Sequence, residues 1–512
     1  MHHSGTIAAP TTVAHAPPGR TSIGRPGRAV LAAAVPLMLL VAVLTGLLAV
    51  SGVSRTVLLL PCAGVVGTAL VGLGWWRFEW FVLCVLAVRT VVDVTRVGSS
   101  ANQLAGVAPS PSSADPVTSG PAASALGIVF IVLSVAWLLA QHRAGAGMRL
   151  TVADGAFMLF VGSCLLSVTG SVSRSATLTE TARIVAAVLM FVVLERLLTS
   201  VARVRRVLVA CFVALAAPVA VGLAQAVTGH GRFVTAGVSR VVGTFLHPNT
   251  FGFFLSMFML MAIAVYRHCH PRTRLALWTV IAVCGGLLVL TYSRGSWIAF
   301  TLGLVLIGVL QSRAVFAWMV GGALVALAAL PSVVSRLSAL GAGNTVTGSA
   351  GNSLTWRLDY WSSVLTLNHA NPVTGIGLKG TRFLTDQSKA PHNDFLRAYA
   401  ETGALGLLAF LVVVLALVAI AGQALRRAEP GLARGVAVGF AAVLVAYVVD
   451  SFGDNLMSEV VVLWYFYAFA ACAFAVSRLG RVVVLPDAGH RVGRQRPRRP
   501  QGWNRPNVEA SW

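Results

Sequence analysis

HNDFLRAYAETGALGLLAFLVVVLALVAIAG, residues 392–422, changes character at Gly403. From Gly403 to Gly422 no side chain is charged or strongly polar. A helix of that length, rising about 1.5 Å per residue, covers the ~30 Å hydrocarbon core of a bilayer. Just ahead of it His392, Asn393, Asp394, Arg397 and Glu401 crowd the threshold. Polar groups there can cap a helix, anchor it at the interface, or form the working part of a site.

Similar apolar runs recur at 29–51, 56–74, 78–94, 123–140, 152–170, 180–198, 205–228, 250–266, 275–291, 296–311, 315–331, 435–450 and 459–477, beside 401–421. They do not alternate apolar and polar residues as the strands of a membrane β-barrel do. The sequence therefore predicts an all-α, polytopic membrane protein of about 12–14 transmembrane helices. Residues 1–28, rich in Pro, Gly, Thr and Ala, read as a disordered cytoplasmic tail. The run at 29–51 is too long for a signal-peptide core and reads as an uncleaved first span.

The chain is 57% hydrophobic and 11% charged, where a soluble domain carries about 25% charged residues. A formal charge of +23 would suggest nucleic acid in a soluble protein. Position assigns it otherwise: Arg143, Arg149, Arg203, Arg205, Arg206, Arg267, Arg272, Arg274, Arg426, Arg427 and Arg434 fall in alternate short loops. The positive-inside rule then places both termini in the cytoplasm and leaves one large outer loop, 332–400. No nucleic-acid partner is required; the basic tail 478–512 is expected to lie disordered against anionic membrane lipids. The seven cysteines form no C-x-x-C pair, so neither a disulfide framework nor a zinc site is indicated. His268, Cys269 and His270 read as a basic cytoplasmic loop rather than a metal site.

Three segments put polar residues on the predicted outer face. In SRVVGTFLHPNTFGFF, 239–254, Pro248 and Asn249 open a helix below Arg240 and His247. In LTYSRGSWIAF, 290–300, Arg294 stands at the turn between two apolar runs, where an arginine faces a cavity or snorkels. The large loop supplies Arg357 in NSLTWRLDYW, the glycines 375 and 377 in NPVTGIGLKG, and His392. Gly375 and Gly377 make a turn whose backbone N–H groups are expected to be free for an anion. Arg240, Arg294, Arg357 and His392 together predict a cationic pocket with few carboxylates close in sequence, suited by its guanidinium forks to a diphosphate. Asn393 or Asp394 is expected to fix the His392 tautomer, with Asp394 as an alternative N-cap.

The ordered set GTFLHPNTFGFF, TYSRGSW, WRLDYW, NPVTGIGL and HNDFLRAYAETGALGL resembles the O-antigen ligase/polymerase superfamily over roughly 200–477. The resemblance implies a glycosyltransferase-C-like membrane fold and a metal-independent, inverting glycan transfer that uses no cofactor. It implies a polyprenyl-diphosphate-linked glycan donor held by Arg240 and Arg294, and a glycan or lipid acceptor whose hydroxyl is assisted by His392. Arg357, His247, Asn249, Gly375, Gly377, Asn393 and Glu401 are expected to line the substrate site. The chain then divides into tail 1–28, N-terminal transmembrane helices 29–228, an O-antigen ligase-like membrane domain 229–477 and tail 478–512. Ligation to a distinct acceptor and polymerisation of repeat units both fit these motifs. A lipid-linked glycan flippase or transporter is a different class, but no internal repeat is visible and the polar groups cluster outside the midplane.

Overall fold

The computed structural model describes residues 67–92, 121–145, 150–235, 238–314, 317, 321–322, 353–385 and 389–480. The N-terminal half holds α1 (Phe78–Val92), α2 (Pro121–Arg143), α3 (Val152–Leu166), α4 (Arg174–Leu197), α5 (Val201–Ala214) and α6 (Ala216–Thr228). A short hairpin follows, β1 (Phe233–Thr235) and β2 (Val238–Arg240), paired antiparallel with Phe233 opposite Arg240. Then come α7 (Pro248–Val265), α8 (Pro271–Leu290), α9 (Arg294–Leu310), α10 (Ser353–Thr366), α11 (Gly380–Leu384), α12 (Asp394–Arg427), α13 (Leu432–Ser451) and α14 (Val460–Leu479).

Among the described residues nine helical stretches are long and apolar enough to cross a membrane. The expected span 29–51, most of 315–331 and of 56–74, and nearly all of both tails lie outside the described residues. Within the expected span 78–94, α1 covers Phe78–Val92, and its buried Arg89 lies 5.7 Å from the centre of the Trp464 ring. The run expected as one helix over 205–228 starts earlier, capped by Ser200, and breaks at Leu215. Pro218 causes the break: it has no N–H to give the Ala214 carbonyl. Thr90 Oγ1 takes that carbonyl instead, at 2.6 Å.

Apolar residues all round a helix are satisfied by other helices or by lipid, and burial separates the two. The central windows of α14, α7 and α13 are 89%, 83% and 72% buried inside the protein, against 17% for α2 and 22% for α8. The first three form the core of the bundle and the last two its exposed rim. Close approach in that core comes from small residues. A Cβ on Gly303 of α9 would lie 2.8 Å from Leu260 Cδ2 of α7, and one on Gly439 of α13 would lie 2.7 Å from Met261 Sδ.

The helix expected at 401–421 begins at Asp394, so the polar threshold is its first two turns. It kinks at Gly403, where φ is 71° and ψ is −172°. There the turn-rich stretch 372–377 crosses it: Ala404 N donates to Pro372 O at 2.9 Å, and Ile376 N and Gly377 N donate to Ala400 O and Glu401 O. A side chain at Gly403 would collide with the Val373 carbonyl.

Candidate active site

Three helices begin at the same end of the bundle, and α13 ends there. His247 is the N-cap of α7, accepting Asn249 N through Nδ1 at 3.2 Å, with Pro248 at the first helical position. Ser293 is the N-cap residue of α9, whose first residue is Arg294. Asn393 caps α12, accepting Leu396 N at 3.0 Å. Ser296 Oγ of α9 donates to Asn249 O of α7 at 3.1 Å, and the His247 and His392 rings are 5.8 Å apart. Helix N-termini carry partial positive charge and unpaired N–H groups, so their meeting point favours an anion.

Arg240, at the end of β2, is 5% exposed. Its Nε donates to Thr291 O and its Nη2 to Asn249 Oδ1, each at 2.7 Å. The hairpin thus aims this guanidinium across the start of α7 toward the α8–α9 turn. Arg294 is half-buried. The next residue, Gly295, sits so close to α13 that a Cβ there would lie 2.7 Å from Asp450 Oδ1.

His392 is held in the left-handed backbone region, φ 52°. Its N–H donates to Asn455 Oδ1 at 2.9 Å, and its Nδ1 lies 3.2 Å from Asp454 Oδ1. An ionised carboxylate only accepts, so Nδ1 carries a proton in this pair. Loss of hydration pushes the Asp454 carboxyl up, but the hydrogen bond from His392 and the two imidazoles outweigh it and hold it below the usual carboxylate value. His247 is the reverse case. Its Nδ1 already accepts a backbone N–H, so Nε2 is the protonated nitrogen. Desolvation pushes its pKa down to about 3, with His392, Arg240 and Arg357 adding to the shift and Asp454 opposing it. Arg357, on α10, loses some basicity to burial while Asp454 and Asp450 oppose the loss. An arginine stays charged throughout.

The structure therefore brings together Arg240, His247, Asn249, Arg294, Arg357, His392 and Asn393. Two carboxylates distant in sequence also enter the pocket: Asp450 and Asp454, from VVDSFGDNL, are 2% and 4% exposed. Each keeps one buried oxygen that finds no hydrogen-bond donor among the described residues. The structure also corrects the sequence reading in three places. Asp454, rather than Asn393 or Asp394, sets the His392 tautomer. Asp394 is not the N-cap either; its carboxylate accepts Met457 N at 3.1 Å and Ser451 Oγ at 3.0 Å, tying α12 to the α13–α14 link. Gly375 and Gly377 do not offer free N–H groups, since these donate to Asn371 O and Glu401 O at 2.8 and 2.9 Å.

Glu401 belongs to a different cluster. It is fully buried, with Oε2 on Arg397 Nε at 2.8 Å and Oε1 on Thr381 Oγ1 at 2.5 Å. Arg397 reaches on to Glu180 of α4 at 3.6 Å, and Glu180 lies 3.5 Å from Lys379. This buried network locks α12 against α4 and the loop, and both Glu401 oxygens are engaged in it. Among the described residues no three His, Cys, Asp or Glu side chains are grouped as a metal ion requires.

Compared with known families, residues 278–411, from within α8 to within α12, match the family model described as O-antigen ligase. The matched segment covers about a quarter of the chain. It contains Arg294, Arg357 and His392, whereas Arg240, His247, Asp450 and Asp454 lie outside the match. No curated protein matches the chain.

Proposed function

We propose that this O-antigen ligase-like membrane protein transfers a glycan from a polyprenyl-diphosphate donor to an acceptor hydroxyl on the extracytoplasmic face of the plasma membrane. The observation that carries the reading is the His392–Asp454 pair, set among Arg240, Arg294 and Arg357 where three helix N-termini converge. The unprotonated Nε2 of His392 takes the acceptor's hydroxyl proton as its oxygen attacks the anomeric carbon. The bond from that carbon to the diphosphate oxygen breaks on the opposite side, so the anomeric configuration inverts. The lipid diphosphate leaves with its charge, which the guanidinium groups and helix ends stabilise as it develops.

The distribution of arginines supports the assignment of face. The far ends of the site-forming helices carry Arg426 and Arg427 on α12, Arg267 just after α7, and Arg434 at the start of α13. Positive charge marks the cytoplasmic side, which leaves the site outside. Purified protein in liposomes, given polyprenyl-diphosphate oligosaccharide and a hydroxyl acceptor, is expected to release one lipid diphosphate per glycan joined. Products that grow by repeat units mark a polymerase, and single additions to another molecule mark a ligase. Movement of the intact lipid-linked glycan across the bilayer without release would contradict the proposal.

A further inference from the structure

His392 is an L-residue at φ 52°, a backbone region that side chains enter at a cost and that persists only when the surroundings enforce it. The enforcing contacts are specific. The peptide unit between Pro391 and His392 is gripped at both ends. Its carbonyl, Pro391 O, accepts Trp361 Nε1 at 2.6 Å, and its N–H, on His392, donates to Asn455 Oδ1 at 2.9 Å. Rotation of this plane is what changes the His392 φ, so the two side chains hold that angle between them. Trp361 lies one helical turn beyond Arg357 on α10. The adjacent Tyr360 reinforces the grip, its hydroxyl donating to Lys389 O at 2.5 Å. Asn455 follows Asp454, which holds the imidazole itself.

We infer that Trp361 and Asn455 are positioning residues for His392, so that loop helix α10 sets the direction of the imidazole while presenting Arg357 to the same pocket. The inference rests on the reading of His392 as proton acceptor. Neither residue touches the reacting atoms; each acts through one peptide plane. Trp361→Phe keeps the ring and removes the donor, and Asn455→Ala removes the acceptor. In the liposome assay each is expected to lower kcat by about tenfold or more, with donor KM changed by less than about twofold. In a His392→Asn background, where there is no imidazole left to aim, Trp361→Phe is expected to cost less than about twofold further. Equal fractional losses in both backgrounds would overturn the inference, as would wild-type kcat in both single variants. Thermal midpoints in detergent identify a variant that fails to fold, and the second variant then decides. Full activity of His392→Asn alone would remove the proton-acceptor reading and this inference with it; an impaired His392→Asn with additive losses removes the inference only.

Discussion

A neutral imidazole acts as a base through Nε2 only when Nδ1 carries the proton, and Asp454 is placed to accept from Nδ1 of His392. Asp454→Asn permits the opposite tautomer, and transfer is expected to fall by about 10²-fold or more while donor binding persists. A steady-state comparison of kcat and KM checks this. Arg240 spends two nitrogens on Thr291 O and Asn249 Oδ1, a reach that a lysine ammonium cannot reproduce. Arg240→Lys and Arg294→Lys are therefore expected to lose most of the roughly 10²-fold that Ala replacements lose in lipid-diphosphate release. His247 makes a different demand. Its folded-state pKa is pushed below the ordinary 6.5 to about 3, so the unfolded chain takes up a proton that the folded one refuses. The stability it contributes is complete above about pH 6.5 and declines as pH falls toward 3. His247→Asn, which caps equally well, is expected to flatten the fall of the thermal midpoint in detergent across that window. An unchanged slope would put the acid lability elsewhere.

At the scale of elements, the opening of α7 was legible because Pro in the first turn behind a polar cap is a strong local signal. The cap atom was not, since sequence alone does not say that His247 rather than Asn249 supplies it. The carboxylates were missed for a plainer reason. Asp450 ends an apolar helix and Asp454 follows it, more than 50 residues after His392, and only the packing of α13 against α9 and α12 brings them back. The glycines at 375 and 377 were misread because a turn-rich composition does not reveal which carbonyls its N–H groups meet. Gly375 N meets Asn371 O within the turn and Gly377 N meets Glu401 O in the first turns of α12, and that crossing demands the left-handed Gly403. Gly403→Ala meets both a disfavoured φ and the Val373 carbonyl. It is expected to destabilise the fold by about 2–4 kcal/mol, read as a lower thermal midpoint and reduced accumulation in the membrane.

For the whole molecule, the class was legible from the length of the apolar runs, while the asymmetry of arginines bears on the face of the site. The two-stranded hairpin that aims Arg240 was not, because three-residue strands leave no periodicity to read. The same asymmetry makes a topological prediction. A cysteine at the exposed Ser362 on α10 is expected to react with an impermeant maleimide on intact cells, and one at Glu429 between α12 and α13 only after lysis. The reverse pattern would put the pocket on the cytoplasmic side. The central claim is that this pocket moves a glycan off a lipid diphosphate with His392 as proton acceptor. It is tested most directly by single-turnover release of polyprenyl diphosphate from donor prebound to wild-type and His392→Asn protein in liposomes. Asn suits the left-handed backbone at this position, so the variant is expected to fold and bind donor normally. The account predicts release at least about a hundredfold slower than wild type. Release at the wild-type rate from a normally folded His392→Asn protein would contradict it.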